Sequence, residues 1–502
     1  MPCSSARAAL IVAPVAWTLL ACGPADAAHT DANTEASAPG RPALDAAVED
    51  YVANAMDWYG IPGLSVALLS RGEVLHAASS GVADVETGAP VTNATLYQLS
   101  STAKIFSSTA LMTLVQEGLV DLDSPVGEML PDIPASWGHV TPRQLLSHLS
   151  GLPDMVHCDT LPEAEAVACA LDLGEPEPAG ERFAYNQTNY YLVQKIIERT
   201  TGTSLPRYLA QRTFEPLKIA GRAVYAGSSA EPVPGRSNSY YPDGEGGLAP
   251  RVYAFPPYLF AAAGLNMSLE AVIVWMRALE SGALLDPETM AEMWREPELA
   301  DGHMSNYALG WDWRTHGAGH RSVGHSGGHL TTVRVFPQDS LAVVVLANGS
   351  AWSVDPDRIA EGLAALVVPE ILSAGSRLAW EMRAGFAAVA TEGRARTGAH
   401  EALDLYGRVA ADPDRLDASV EREMNRLGYE LLERGRTGDA VEVLRLTAAV
   451  FPDSWNAHDS LGEAYLADGN TELARMEYRR SLELNPENEN AREVLRGLPA
   501  DI

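Results

Sequence analysis

The chain has 502 residues, 46% of them hydrophobic and 20% charged, an ordinary soluble-protein composition with material for more than one domain. Its 36 basic and 66 acidic residues leave a formal net charge of −30. A surface of that sign repels polyphosphates and anionic headgroups, which argues against nucleic-acid binding and says nothing about fold.

Residues 1–22 read as an export signal. Arg7 is a thin positive region, and the apolar stretch 8–20 is too short to cross a bilayer comfortably. It ends Leu19-Leu20-Ala21-Cys22, which resembles a bacterial lipoprotein cleavage box whose cysteine becomes the lipidated first residue. The expectation is a lipid anchor at Cys22 on the periplasmic or outer-membrane side of a bacterial envelope. Plain secretory cleavage nearby, or a start codon placed too early, are the other readings. Residues 23–41 are rich in Ala, Thr, Asp, Glu and Pro and read as a flexible linker.

Folded sequence begins near Pro42. Residues 43–58 have helical periodicity, and 64–69 and 74–78 are short strands around an Arg71-Gly72 hairpin turn. Next comes Ser101-Thr102-Ala103-Lys104. Only three of the basic residues are lysines: Lys104, Lys195 and Lys218. A desolvated lysine can lose its proton and act as a base, whereas arginine cannot. Ser and Lys at i, i+3 share one helix face, the minimum apparatus of an acyl-transfer nucleophile. Ile105, Phe106, Ala110, Leu111, Leu114 and Val115 then recur at helical spacing until Gly118. That puts Ser101 in the first turn of a mostly buried helix, where the macrodipole favours negative charge. The bland alternative is a helix cap and a solvated charge.

Residues 144–152 form a helix ending in a turn. Cys158 and Cys169 follow, and in an exported protein a disulfide between them is expected, with two free thiols as the alternative. Tyr185-Asn186-Gln187-Thr188-Asn189-Tyr190 offers a tyrosine whose pKa a nearby ammonium would lower; otherwise Tyr185 is an ordinary core or loop residue. Helices are predicted at 190–200, 205–213 and 269–281. Residues 225–260, rich in Pro, Gly, Ser and Tyr, read as a long loop bordering a site. The small-residue turn 260–265 either borders the pocket or packs closely. His325-Ser326-Gly327-Gly328 leads into a strand at 331–336, followed by a strand at 340–347 and helices over 356–390. The glycines let backbone approach a bound carbonyl, and an N–H there pairs with that of Ser101 as an oxyanion hole. Strands at both ends with helices between predict a mixed α and β fold: an antiparallel sheet flanked by helices, with a helical insertion.

The tail repeats. Leu427-Gly428, Ala440 and Pro452 recur as Leu461-Gly462, Ala474 and Pro486, each 34 residues later. Tyr465 and Tyr478 take the expected aromatic places of the second copy. A fixed period of 34 is the signature of tetratricopeptide helix pairs, expected over 419–490, with 371–418 a helical linker or degenerate repeat.

In order along the chain, Leu99 to Lys104, LVQEGLVDLDSP (114–125), LLSHLSGL (145–152), the Tyr185 segment, Ala263-Gly264-Leu265 and His325-Ser326-Gly327 resemble the serine β-lactamase and penicillin-binding-protein-like hydrolases. The likeness is to the class C type, which includes esterases and D-aminopeptidases, and it covers about residues 45–368 of a domain drawn at 42–370. The resemblance implies Ser101 as nucleophile, Lys104 as its activating partner and Tyr185 as general base and acid. It also implies the N–H groups of Ser101 and Gly328 as oxyanion donors, and no cofactor or metal. His325, Ser326 and Gly327 stand where the β-lactamases have Lys-Thr-Gly. Two departures stand out. Gln187 replaces the Asn of Tyr-x-Asn, one methylene longer, which leaves its contact with Lys104 and substrate open. His325 replaces a fixed positive charge and can be charged only below about pH 6.5. The implied function is hydrolysis of a small ester, amide or peptide through an acyl-enzyme, with the repeats available to a protein partner. The alternatives are a β-lactamase or D-Ala-D-Ala carboxypeptidase, a metal-binding protein built on His316, His320, His325 and His329, and a non-catalytic repeat scaffold.

Overall fold

The structure, a computed structural model, describes residues 41–392, 403–404, 406–408 and 416–498. The export signal, Cys22 and all but the last residue of the 23–41 linker lie outside the described residues, as does part of 371–418.

The sheet explains most of the architecture. Seven antiparallel strands run in the order Ala89–Pro90, Glu73–Asp84, Gly63–Ser70, Leu341–Ala347, Thr331–Phe336, Arg321–Gly327 and Asp312–Thr315. The central strand Leu341–Ala347 (LAVVVLA) is buried throughout, an unbroken apolar run because both of its faces are covered. Alternate residues divide between two cores, as a period of two requires. Val343 and Val345 join Val66 and Leu68 against Val48 and Val52 of helix Arg41–Tyr59 and Ile359 and Leu363 of helix Pro356–Ala365. Val344 and Leu346 join Ala67 and Leu69 on the other face, under Phe106, Leu111 and Trp275 of the helical insertion. The turn Arg71-Gly72 has φ of 50° and 73°, the double left-handed geometry that a two-residue hairpin of matching twist demands.

Helix Ala103–Gln116 runs through the insertion's core, with Ala103 to Met112 buried without a break. The predicted strands, hairpin and main helices are present. Three local expectations change. Residues 205–213 make one α-helical turn, Leu205–Leu209, and then a wider π segment, Ala210–Phe214. The long loop 225–260 carries two short paired strands, Tyr240–Pro242 and Leu248–Pro250. His325 to Gly327 do not merely lead into a strand; they lie on one, paired with Thr331–Val333 on one side, while the pairing with Asp312–Thr315 on the other side ends at Gly324.

The tail is a run of antiparallel helices: Ala418–Glu433, Thr437–Val450, Trp455–Ala467, Thr471–Leu484 and Glu489–Gly497. Helices in a pair approach where a glycine permits. A Cβ on Gly428 would meet Leu444 at 2.5 Å, and one on Gly462, 34 positions later, would meet Tyr478 at 3.1 Å. The same contact thus recurs at the sequence period. The segment before it contributes helix Ala374–Glu392, which packs against Ala418–Glu433.

This tail shares a core with the sheet. Leu427 and Leu431 belong to the cluster that includes Val48 and Trp58. Glu430 accepts hydrogen bonds from Trp58 Nε1 at 2.9 Å and from Arg383 Nε and Nη2 at 2.8 and 2.9 Å. The Arg383 side chain is 1% exposed and that of Glu430 11%. Removing one partner of such a pair strands a buried charge. Glu430→Ala is therefore expected to cost about 3–5 kcal/mol, read as a lower urea midpoint.

Candidate active site

Ser101 sits one turn earlier than its sequence suggests. It belongs to a 3₁₀ turn, Ser100–Thr102, and the α-helix begins at Ala103. Ser100 has φ of +50°, a left-handed backbone that a side-chain-bearing residue adopts only when its surroundings impose it. The surroundings are visible. Thr331 Oγ1 donates to Leu99 O at 2.9 Å and lies 3.0 Å from the Thr102 hydroxyl, fastening the turn to the strand beneath.

Lys104 is fully buried. Its Nζ lies 3.4 Å from Ser101 Oγ and donates to Gln187 Oε1 and Ala262 O, each at 3.1 Å. The longer Gln187 side chain therefore does reach Lys104, and the small-residue turn does border the site. Among the described residues no carboxylate forms a salt bridge with this amine. Burial accordingly lowers its pKa to about 7, against the weaker opposing pull of Asp154. In the neutral form two N–H groups satisfy Gln187 and Ala262, leaving the lone pair for the Ser101 hydroxyl.

Tyr185 lies beside both groups. Lys104 Nζ is 4.9 Å from its ring centre and 5.0 Å from that of Tyr190. The tyrosine is 37% exposed, yet burial is the largest influence on its phenol and pushes the pKa well above 10, while a hydrogen bond with Ser101 pulls it down. The expected lowering by a lysine ammonium does not occur, because Lys104 is itself driven toward neutrality. The phenol is thus a proton donor or relay rather than a ready phenolate.

His325 differs from expectation too. Its Nε2 lies 2.8 Å from the Tyr307 hydroxyl and its Nδ1 2.6 Å from Ser326 O. Burial and the Lys104 charge lower its pKa to about 4, with Asp312 opposing. It is a neutral imidazole down to well below pH 6.5, and Nδ1–H donating to Ser326 O leaves Nε2 to accept from Tyr307. Ser326 is half-buried on the same strand.

Gly327 brings backbone against backbone. A Cβ there would lie 2.0 Å from Leu99 O, 2.7 Å from Thr102 N and 2.9 Å from Ser101 N. Gly328 follows with φ of +57°. The N–H groups of Ser101 and Gly328 therefore belong to segments in direct contact, the arrangement an oxyanion hole needs.

Two residues the motifs left without a role hold this site. His148 has φ of +57° and is fully buried. Its Nδ1 accepts from Asn186 N–H at 3.2 Å and lies 3.0 Å from Asn189 Nδ2, and its ring centre is 4.3 Å from that of Tyr185. Asp154 accepts from the Gln187 N–H at 2.8 Å. The turn after Asp154 is tied to helix Glu163–Asp172 by the Cys158–Cys169 disulfide. The four histidines do not converge: His316 meets Glu361 and Ser322, His320 meets Asp339, and His329 lies at the tip after Gly328.

The fold agrees with comparisons to known proteins. The model of the Beta-lactamase family matches residues 48–366, and the chain belongs to that family. Penicillin-binding protein 4 of Amycolatopsis lactamdurans is 29% identical over 343 residues, 62% of this chain and 88% of that protein. The octameric penicillin-binding protein homologue from Pyrococcus abyssi superposes with a TM-score of 0.57 at 26% identity, over 67% of this chain and 81% of that one. D-amino acid amidase from Ochrobactrum anthropi SV3 does so with a TM-score of 0.54 at 25% identity, over 66% and 97%. The family match ends at residue 366, ahead of the helical tail.

Proposed function

We propose that the protein is an exported serine hydrolase that acts on small esters or amides through a covalent acyl-enzyme. The observation that carries this is the buried Lys104 amine, 3.4 Å from Ser101 Oγ and with a pKa lowered to about 7. Ser101 Oγ attacks the substrate carbonyl carbon as its proton passes to the neutral Lys104. The carbonyl oxygen takes the negative charge between the N–H groups of Ser101 and Gly328. When the bond to the leaving group breaks, that group takes a proton relayed from Lys104 through the Tyr185 hydroxyl. Water then adds to the ester carbonyl, gives its proton back along the same path, and Ser101 is released.

The likeness to a D-amino acid amidase supports amides, and the likeness to penicillin-binding protein 4 supports a second reading, action on β-lactams or D-Ala-D-Ala stems. The neutral His325 supplies no fixed charge of its own for a substrate carboxylate, so that second reading requires a cation from another part of the site. Lipidation at Cys22 and envelope localisation rest on the leader sequence. The tail is read as tetratricopeptide repeats for a protein partner, supported by the recurring glycine contact 34 residues apart.

The test uses a form lacking residues 1–22 against p-nitrophenyl acetate, D-phenylalaninamide and a chromogenic cephalosporin. Turnover of the ester or amide is expected, with kcat/KM rising about tenfold between about pH 6 and pH 8 as Lys104 loses its proton, then levelling. A flat profile across that range removes Lys104 from the proton-accepting role.

A further inference from the structure

Ser101, Lys104 and Tyr185 account for bond breaking, but nothing among them holds the far end of a substrate. One cation beside the site is unspent. Arg251 follows strand Leu248–Pro250, whose Pro250 pairs with Tyr240, and its own N–H donates to Ser239 O at 2.7 Å. Its position is therefore set by a paired ribbon rather than a free loop. Arg251 Nη1 donates to Gly328 O at 3.2 Å, and a Cβ on Gly328 would lie 3.1 Å from that nitrogen and 2.8 Å from Ser100 Oγ. The guanidinium thus stands at the residue that carries one oxyanion donor, next to the turn that carries the nucleophile.

Among the described residues no carboxylate pairs with Arg251. Its loop neighbour Arg236 contrasts with it, donating to the carbonyls of Ser228, Ser229 and Glu231. Arg251 lines a cleft of about 710 Å³ together with Tyr240, Tyr241, Gly328, Leu330 and Trp352. Arg251 also lines a smaller hollow of about 210 Å³ together with Glu86 and Arg236. The cleft therefore combines aromatic walls with one charged end. A guanidinium has five donors in a planar fork and grips a carboxylate with two at once. In a protein of net charge −30, an unmatched cation at a cleft is a local reversal of the field, suited to an anionic ligand that the rest of the surface repels.

We propose that Arg251 anchors a carboxylate of the substrate in this cleft, so that the preferred substrates are acidic esters or amides. This rests on the serine hydrolase reading above. It supplies from the long loop the fixed charge that His325 lacks. The carboxylate belongs either to the acyl part or to the leaving group, and matched substrate pairs distinguish the two: mono-p-nitrophenyl glutarate against p-nitrophenyl butyrate, and 3-carboxyphenyl acetate against phenyl acetate.

For one pair, the wild-type enzyme is expected to favour the anionic member about tenfold or more in kcat/KM, chiefly through KM. Arg251→Gln is expected to erase that preference, and Arg251→Lys to restore part of it. No anionic preference in either pair overturns the proposal. So does an equal loss on both members of each pair in Arg251→Gln, which would make the residue a brace for the Gly328 carbonyl. Ser101→Ala run on the same four esters keeps the two claims apart: retained turnover in that variant defeats the hydrolase reading, whatever the preference ratio shows.

Discussion

Ser101→Ala is expected to lower kcat/KM for any substrate by about 10⁴- to 10⁶-fold, with what remains coming from binding and the oxyanion donors. The variant should melt like the parent. The Ser101 hydroxyl is half-buried, and the turn that carries it is held by Thr102 and Thr331 rather than by Ser101 itself. Lys104→Arg belongs to the same experiment. A guanidinium stays protonated at any working pH, so it cannot accept the serine proton. It is also too large for a fully buried position that offers Gln187 Oε1 and Ala262 O as its two fixed acceptors. A loss of about 10³-fold or more is expected, and a smaller melting temperature cost than rate cost. Rates within tenfold of the parent in either variant would mean that the chemistry is done elsewhere.

Gly327→Ala should produce the second large effect, and for a steric reason. The three atoms its Cβ would strike, Leu99 O, Thr102 N and Ser101 N, are all backbone and cannot swing aside. The strand would have to withdraw from the turn, separating the N–H of Ser101 from that of Gly328. Losing one oxyanion donor typically costs about 10²- to 10³-fold in kcat, and this loss is expected here. A control separates the local effect from general damage to the sheet. A Cβ on Gly324 would lie 1.9 Å from Val333 O, a clash at least as severe, on the same strand but away from Ser101. Gly324→Ala should lower stability as much while sparing kcat of the folded fraction. Equal kcat losses in both variants would contradict the assignment of Gly327 to the oxyanion site.

What could be read from the sequence follows the range of the forces involved. The run LAVVVLA and the positive-φ turn at Arg71-Gly72 are local patterns, and each became the element expected, while the 34-residue period falls on a run of antiparallel helices. Strand Arg321–Gly327 (RSVGHSG) was missed as a strand because Gly, His and Ser have little preference for one; its neighbours on both sides impose it. The motif residues are brought together: Ser101 and Lys104 meet Tyr185 and Gln187 from two distant stretches. Their ionisation was not legible, since it depends on burial. Tyr185 shifts up rather than down, and His325 falls to about 4, because each loses water to neighbours far away in the chain. His148, Asp154 and Arg251 were likewise without assigned roles. His148 reads as one letter of LLSHLSGL until its contacts with Asn186, Asn189 and Tyr185 are seen. The docking of the tail through Glu430 spans 372 positions to Trp58, a separation no local pattern reports.

The most direct measurement is covalent capture. The protein lacking residues 1–22 is treated with a fluorophosphonate probe, digested, and mapped by mass spectrometry. One adduct per chain is expected, on the peptide bearing Ser101, absent from Ser101→Ala and formed faster at pH 8 than at pH 6. An adduct on another residue, or an unmodified Ser101 in protein that the probe has inactivated, would contradict the account.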